Sequence, residues 1–439
     1  MKKRALAVVI AAAAVISTMA SGYSVYAGEK ETFTIMHHWT DEVINQGNAE
    51  GIAIQEAIEA FQEAHPELDV VVETITQDAG YESKMKTLAA ADELPDVFVA
   101  LPSMMNTFYD NGQVLDFAPI LEEEKEWAES FEDGAFGDFT FGDTVLGVPR
   151  CAIANSILFY NKDIFDKCGI KEFPKTTDEL MEAVKILKEN GYIPFANGNK
   201  TQYALASQFM PGLLFKFADA EWYENLKNYE GASFTDEDPM AAIQYLQTLM
   251  DEGAFNEDLN SIDVDQARQL YYSEKAAMYV EGSWVVASFI TDCSDEVKEK
   301  TELTVFPTAP GKEELDGQIV SGQGWGFSVN AGISEEKQKL AVEFLKEMTS
   351  PEIQAAGVER GLVSVLKDTP YVESKIDPLY KKFLDLYASK ETKVGCPEVQ
   401  LSTDYMDASY TGYQELSVGA VTPEELANNL QEAHEMAEW

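Results

Sequence analysis

The sequence predicts an α/β protein built from two doubly wound lobes that are joined by a hinge. Strand and helix patterns alternate from residue 32 to residue 101, which is typical of a parallel sheet with helices packed on its faces. A second alternating region begins at Gly147. Because no low-complexity linker separates the two regions, we expect the chain to cross between them on short strands rather than on a tether.

The spacing of apolar residues, together with the residues at the element boundaries, predicts each element of the first region. Alternating or β-branched stretches predict strands, and a 3.6-residue apolar stripe predicts a helix. The predicted order is strand Thr32–Met36, helix 52–64, strand Leu68–Val72, helix Glu82–Ala91 and strand Asp96–Leu101. The ligand crevice of such a sheet lies at the carboxyl ends of its strands, which here are residues 37–41, 77–81 and 102–106.

The second region shows helix caps as well as periodicity. Gly147-Val148-Pro149 opens a strand that we expect over Ile153–Tyr160. Thr176 with Glu179 forms a capping box at the start of a helix, and Thr422 with Glu425 does the same for the last helix. Further strands are expected at Ala276–Val280, Leu303–Phe306 and Gly324–Val329.

Charge restricts the partners of this protein. The chain has 439 residues, with 77 acidic against 32 basic side chains and a formal net charge of −45. This length allows two or three domains with a large core. An acidic surface repels phosphate backbones, so we expect no nucleic-acid partner. We expect a monomer.

The N-terminus has the pattern of a secretory signal peptide over residues 1–27. A basic stretch at residues 2–4 precedes an apolar run, and Val25 and Ala27 are small residues at a plausible cleavage site. The protein is therefore expected to be exported, to the cell surface, the medium or a periplasm. No cysteine lies near the plausible cleavage site, so a lipid anchor at a new N-terminal cysteine is not expected. The retained-anchor alternative is disfavoured because the run is short.

The sequence contains no catalytic or metal-binding motif that we can identify. There is no P-loop, no HExxH and no GxSxG, so we expect a protein without enzymatic activity, cofactor or metal. The spacing of Cys151, Cys168, Cys293 and Cys396 fits no zinc site and leaves open whether they are disulfides or thiols.

From residue 32 onward the chain resembles extracellular solute-binding proteins of the family that serves carbohydrate ABC importers. The most specific stretches are Gly147-Val-Pro-Arg followed by Phe159-Tyr-Asn-Lys-Asp, and Ala277-Met-Tyr-Val-Glu-Gly-Ser-Trp. The stretches Phe306-Pro-Thr-Ala-Pro and Gly324-Trp-Gly-Phe-Ser-Val-Asn follow in the same order. The resemblance implies a periplasmic-binding-protein-like fold that closes on a carbohydrate, an oligosaccharide above all, and delivers it to ABC permease subunits.

The resemblance also implies a division of the chain. Lobe 1 is expected to contain residues 28–148 and about 307–355, and lobe 2 residues 149–306 and about 356–439. The ligand cleft is then expected between the lobes.

A sugar has an apolar C–H face and a rim of hydroxyls, so its site needs aromatic platforms with amide and charged partners. The predicted crevice turns supply this mixture: His38, Trp39, Asp41, Arg150, Asn155, Asn197, Asn199, Trp284, Gln323, Trp325 and Arg360. The guanidinium of Arg150 could fork onto vicinal hydroxyls or onto a carboxylate. For each residue the alternative is structural: a core tryptophan, a turn-forming asparagine, or an arginine paired with a surface acid. Two other functions stay open, namely binding of another solute (an acidic sugar, a sugar phosphate or a polyamine) and a secreted carbohydrate-active enzyme.

Overall fold

The computed structural model describes residues 30–76 and 80–436. The predicted signal peptide lies outside these residues, as does the start of the predicted crevice segment 77–81. The strands are β1 (Glu31–His37), β2 (Leu68–Thr74), β3 (Val97–Ala100), β4 (Thr140–Phe141), β5 (Thr144–Val145), β6 (Val148–Pro149), β7 (Ile153–Ala154), β8 (Ile157–Asn161), β9 (Ile193–Ala196), β10 (Ala276–Glu281), β11 (Thr301–Thr304), β12 (Gln318–Gly322), β13 (Gly326–Val329) and β14 (Thr392–Val394).

Helices flank these strands through most of the chain. They are α1 (Asp41–Asn45), α2 (Ala49–Ala64), α3 (Glu82–Ala91), α4 (Pro102–Asp110), α5 (Ala118–Glu123), α6 (Lys125–Ser130), α7 (Lys162–Lys167), α8 (Thr177–Glu189), α9 (Met210–Leu214), α10 (Ala220–Lys227), α11 (Glu237–Asp251), α12 (Val264–Tyr272), α13 (Val285–Asp292), α14 (Asp295–Lys300), α15 (Glu335–Met348), α16 (Pro351–Glu359), α17 (Pro378–Ser389), α18 (Pro397–Gln400), α19 (Thr403–Ser417) and α20 (Pro423–Glu435). A π-helical segment, Ala204–Phe209, precedes α9.

The first sheet has the strand order β2-β1-β3-β13-β6. Strands β1, β2 and β3 are parallel, as their alternation with helices predicts. Strand β13 is antiparallel to β3, and β6 is antiparallel to β13 and so runs in the direction of β1–β3. All four residues of β3 are buried, which explains its unbroken apolar sequence. Helices α15 and α16 pack against α2 beside this sheet.

The second sheet has the order β11-β8-β10-β9, and a smaller bridging sheet has the order β14-β12-β7. The chain leaves the first sheet at β6, contributes β7 to the bridging sheet and enters the second sheet at β8. It returns through β11, β12 and β13. The strand predicted as one unit over Ile153–Tyr160 is therefore two strands. The break falls at Asn155-Ser156, where Ser156 has a left-handed φ of 60°.

Residues 307–317, which the sequence-based division places in lobe 1, contact elements around the second sheet. Thr308 forms a bridge with Thr176, and the Ala309 amide donates to the carbonyl of Lys216 at 2.9 Å. These contacts argue for a return crossing at Gly322–Gly326, later in the chain than the Phe306-Pro307 boundary. The division into lobes otherwise stays a prediction.

Two clusters of buried apolar residues pack against the sheets. One apolar cluster extends from the first sheet into helices beside the second, and a separate cluster lies among β8, β10, α13 and α17. Within residues 30–76 and 80–436, none of the helices has the length and apolar character needed to cross a bilayer.

Candidate functional site

An aromatic cluster lies at the carboxyl ends of β1 and β3. The Tyr81 hydroxyl donates to the carbonyl of Val99 at 2.8 Å and lies 3.1 Å from that of Met36, so it ties the two strand ends together. The rings of His38 and Trp325 meet edge to face with centroids 4.6 Å apart. The His38 and Trp39 centroids are 3.7 Å apart. The predicted residues His38, Trp39 and Trp325 are thus neighbours.

Arg150 joins this cluster from the end of β6. Its guanidinium lies 4.9 Å from the centre of the Trp39 ring, a cation–π contact. It donates to Glu50 Oε2 at 2.5 Å, to the Gln323 carbonyl at 3.2 Å and to the Trp325 carbonyl. Arg150 is 4% exposed, and its paired carboxylate belongs to the protein itself. The guanidinium therefore holds the hinge segment 322–326 against α2.

Three more predicted residues lie at one end of the second sheet. β9 and β10 are parallel, and Glu281 of β10 pairs with Ile157 of the antiparallel β8. Asn197 after β9, Trp284 after β10 and Asn155 before β8 therefore share this end. The Ser283 amide donates to the Ala154 carbonyl at 2.8 Å, which joins the β10 turn to the bridging sheet.

Trp284 is positioned by its own turn. Its indole Nε1 donates to Glu281 Oε1 at 3.0 Å, and the Tyr279 hydroxyl donates to the other carboxylate oxygen. A Cβ on Gly282 would lie 2.0 Å from the Trp284 ring, so only glycine allows the indole to lie over this turn. Burial raises the pKa of Glu281, while nearby Arg268 opposes the shift. Trp284 is partly exposed.

Buried polar atoms without partners mark the same end of the second sheet. The Oδ1 atoms of Asn155 and Asn197 and the hydroxyl of Ser156 have no hydrogen-bond partner among the described residues. Asn155 and Asn197 are 3% and 2% exposed. Buried polar groups are nearly always satisfied, so such a cluster indicates a place for a polar ligand. The neighbouring π-helical segment supports this interpretation, since π-bulges are frequent at functional sites.

A residue of the C-terminal segment, Gln400, contacts Asp138 from the first sequence region. Gln400 Nε2 donates to Asp138 Oδ1 at 2.7 Å, and the Gln323 amide donates to Asp138 Oδ2 at 2.6 Å. The carboxylates of Glu82 and Glu398 are also near each other. Burial, with the charge of Glu398 as a second cause, raises the pKa of Glu82 to about 7. Residues from both sequence regions therefore meet here.

Several predicted site residues have structural partners instead. Asn199 Oδ1 accepts from the Leu205 amide at 3.1 Å, and its Nδ2 donates to Asn260 at 3.2 Å, so Asn199 organises a loop. Arg360 makes a two-point ion pair with Glu56 of α2, at 2.6 and 2.8 Å.

The other two predicted residues, Asp41 and Gln323, are at the edge of the site. Asp41 is exposed at the start of α1. The side chain of Gln323 is partly exposed.

Burial shifts the pKa values of the histidines in the site and of the cysteines. Burial lowers the pKa of His37 to about 4, with the Asp41 charge opposing. Burial also lowers the pKa of His38, and the charge of Arg150 adds to this effect. The four cysteines are free thiols, and burial raises the pKa of each. Among the described residues, no group of three or more His, Cys, Asp or Glu side chains is placed to hold a metal ion.

Sequence reasoning missed several members of this region. They are Glu50, Tyr81, Asp138, Glu281, Glu398 and Gln400. Tyr81 lies in the predicted crevice segment 77–81, and Glu281 lies in the stretch from Ala277 to Trp284 that carries the family resemblance, so only their roles were missed. Gln400 is 262 residues from its partner Asp138, and no local pattern connects them.

The chain belongs to the bacterial extracellular solute-binding protein family, whose model matches residues 47–355. Its fold matches solved structures over nearly its whole length. A chitin oligosaccharide binding protein has a TM-score of 0.83 and 22% identity, covering 93% of this chain and 99% of that one. A structure from work on xylan utilization by Caldanaerobius polysaccharolyticus has a TM-score of 0.78 and 26% identity, covering 91% and 99%. The predicted fold class is confirmed.

Curated relatives are similarly distant in sequence. An uncharacterized ABC transporter extracellular-binding protein of Pyrococcus horikoshii is 24% identical, over 90% of this chain and 87% of its own. A xylose/arabinose-binding protein of Haloferax volcanii is 25% identical, over 63% of this chain and 59% of its own. The match to the latter therefore spans less than two thirds of that protein. Members of this family are extracellular binding proteins, in agreement with the predicted export and class.

Proposed function

We propose that this protein captures a carbohydrate, an oligosaccharide above all, between its two lobes and delivers it to the membrane subunits of an ABC importer. The observation that carries the proposal is the presence of two complementary sets of groups at the ends of the two sheets. Aromatic rings lie at the carboxyl ends of the first sheet, and unpartnered amide oxygens with the partly exposed Trp284 lie at the end of the second. An aromatic face with neutral hydrogen-bonding groups suits a pyranose.

The structural relatives support the choice of ligand. The chitin oligosaccharide binding protein and the structure from xylan utilization share this fold over almost their whole length. The curated xylose/arabinose-binding protein adds a relative named for a sugar. Binding without chemical change agrees with the sequence, in which we identify no catalytic motif. We propose a monomer that acts without a cofactor, as the sequence predicts.

The proposed mechanism is hinge closure. The chain passes between the sheets on short segments at 150–152 and 322–326, which can absorb a rotation while each sheet stays intact. A ligand that contacts both sides stabilises the closed form by its differential affinity for that form. Asp138 and Gln400 meet across this region and would then part on opening.

Calorimetry with chitin, xylan and malto-oligosaccharides, together with small-angle scattering, tests the proposal. We expect one family of oligosaccharides to bind with a Kd of about 1 μM, near −8 kcal/mol, and to reduce the radius of gyration. Trp284→Ala should weaken binding about 10-fold or more. Trp222→Ala is the matched control, since this partly exposed indole on α10 donates to Asp236, the residue before α11, and has no predicted site residue among its hydrogen-bond or ring partners in the described chain. No binding by any glycan, or cleavage of the glycan, would overturn the proposal.

A further inference from the structure

All arginines of the described chain are already paired. The sequence contains four arginines, and Arg4 lies outside the described residues. The other three pair with carboxylates of the protein: Arg150 with Glu50, Arg268 with Asp265, and Arg360 with Glu56. Arginine is the side chain best suited to carboxylate and phosphate ligands, because its planar fork matches their two oxygens. The described site therefore holds no uncommitted guanidinium for an anionic sugar.

The buried lysine of the described residues also has its partners within the protein. Lys216 is 2% exposed, and its ammonium group donates to the carbonyls of Leu315 and Gln318 at 3.0 and 2.7 Å. It holds the segment before β12 and does not point to a ligand. The formal charge of −45 repels anions from the protein as a whole.

Two buried or partly buried carboxylates of the site, Glu281 and Glu398, are engaged as well. Glu281 accepts from Tyr279 and Trp284 with its two oxygens, and Glu398 accepts from the Tyr410 hydroxyl. Burial raises the pKa of Glu398, which draws it toward its uncharged form. A cationic ligand would have to displace these donors to gain an ion pair.

At the end of the second sheet, the buried side-chain atoms without partners include uncharged groups, namely the amide oxygens of Asn155 and Asn197 and the hydroxyl of Ser156. Beside the first sheet, the Nε atom of Arg150 also lacks a partner, but the terminal nitrogens of that guanidinium are engaged by Glu50 and by the Gln323 and Trp325 carbonyls. Amide oxygens accept hydrogen bonds from sugar hydroxyls, and a hydroxyl both donates and accepts. Burying a ligand charge here without an opposite charge would be strongly unfavourable.

We infer that the site selects electrically neutral carbohydrate and rejects both anionic sugars, such as uronates and sugar phosphates, and amines. This inference rests on the proposed function and names the class of its ligand. It disfavours the acidic-sugar, sugar-phosphate and polyamine alternatives that the sequence left open.

Competition calorimetry on the intact protein tests the inference. The probes are N-acetylated chitin oligosaccharides and xylo-oligosaccharides as neutral sugars, oligogalacturonates and glycerol phosphate as anions, and deacetylated chitosan oligosaccharides and spermidine as cations. We expect a neutral probe to bind at least about 100-fold more tightly than every charged one, with little dependence on salt. Equal or tighter binding of a charged probe would overturn the inference and leave the proposed function standing if that probe is a sugar. No binding by any probe would overturn both.

Two variants sharpen the test. Glu50→Gln releases the Arg150 guanidinium, so we expect about a 10-fold gain in affinity for oligogalacturonate relative to neutral sugar. Glu56→Gln releases Arg360 on α16 instead and should give no such gain. Asn155→Asp places a carboxylate in the site and should shift preference toward the chitosan oligosaccharides, which keeps the test available if Glu50→Gln does not fold. An unchanged ratio of charged to neutral affinity in both Glu50→Gln and Asn155→Asp would overturn the inference.

Discussion

Arg150 and Glu50 form a buried ion pair in which Nη2 lies 2.5 Å from Oε2, with side chains 4% and 8% exposed. The two residues are 100 positions apart, and the pair connects the hinge segment after β6 to the first turn of α2. The Arg150 guanidinium also donates to the carbonyls of Gln323 and Trp325, which belong to the return crossing. One side chain thus joins two of the crossings between the sheets, the one after β6 and the one before β13, to the first sheet region.

Removing one partner of the Arg150–Glu50 pair should destabilise the protein more than removing both charges. Arg150→Met alone leaves a buried carboxylate without its partner, so we expect a loss of about 3–5 kcal/mol in the free energy of unfolding. The double variant Arg150→Met, Glu50→Gln removes both charges and should be less destabilised than the single one. Urea unfolding followed by circular dichroism measures both values. A double variant that is less stable than Arg150→Met would contradict this account.

Asn197 and Asn199 are two positions apart, and we expect one to contribute to ligand binding and the other to stability. Asn199→Ala removes bonds to Leu205 and Asn260, so we expect it to lower stability by about 1–3 kcal/mol. Asn197 Oδ1 has no partner in the described chain, so Asn197→Ala should leave stability nearly unchanged and weaken oligosaccharide binding about 5-fold. Thermal unfolding and calorimetry on both variants separate the roles. Equal effects of the two variants on affinity would argue against a ligand contact at Asn197.

Asp138 should favour the closed form, because its carboxylate accepts from both Gln400 and the Gln323 amide. An amide at this position has one acceptor oxygen instead of two, so Asp138→Asn loses one of these bonds. We expect a larger radius of gyration without ligand and about 3- to 10-fold weaker binding. Asp143→Asn, at an exposed turn residue, is the control. Scattering curves of Asp138→Asn that match those of the wild type would rule out this role.

Acid should destabilise the protein through its buried histidines. Burial lowers the pKa of His37 from 6.5 to about 4, so between these values the unfolded chain binds a proton that the folded chain does not. The contribution of neutral His37 to the free energy of unfolding is therefore fully present above pH 6.5. It is lost as the pH drops toward 4, and this loss lowers the free energy of unfolding by about 3 kcal/mol from His37 alone.

The His37→Gln variant isolates this contribution. Its free energy of unfolding should change less over the same pH range, and His65→Gln at a partly exposed position is the control. The raised pKa of Glu82, about 7, has the opposite sign, since it adds stability as the pH falls below 7. A His37→Gln profile parallel to that of the wild type would show that His37 does not titrate as described.

Local sequence was enough to predict the elements and the family. Strand β3 was evident as an unbroken apolar run and α2 as a 3.6-residue apolar stripe, because the pattern within one segment reports which face is buried. The capping box of Thr422 with Glu425 was evident for the same reason, since its bonds span three residues. The positions of His38 and Trp284 just after predicted strands followed from the strand ends, whereas Asn155 and Trp325 lay inside predicted strands.

Partners distant in the chain could be found only once the fold had brought them together. Whether Arg150 would meet a ligand or Glu50 depended on where α2 packs, and whether Asn197 or Asn199 would satisfy its amide depended on the loop that carries Asn260. The break at Ser156 was hidden too, because its left-handed backbone arises where the chain passes from the bridging sheet to the second sheet. Residue type alone sets what a side chain can bind, whereas folding decides which of the possible partners is within reach.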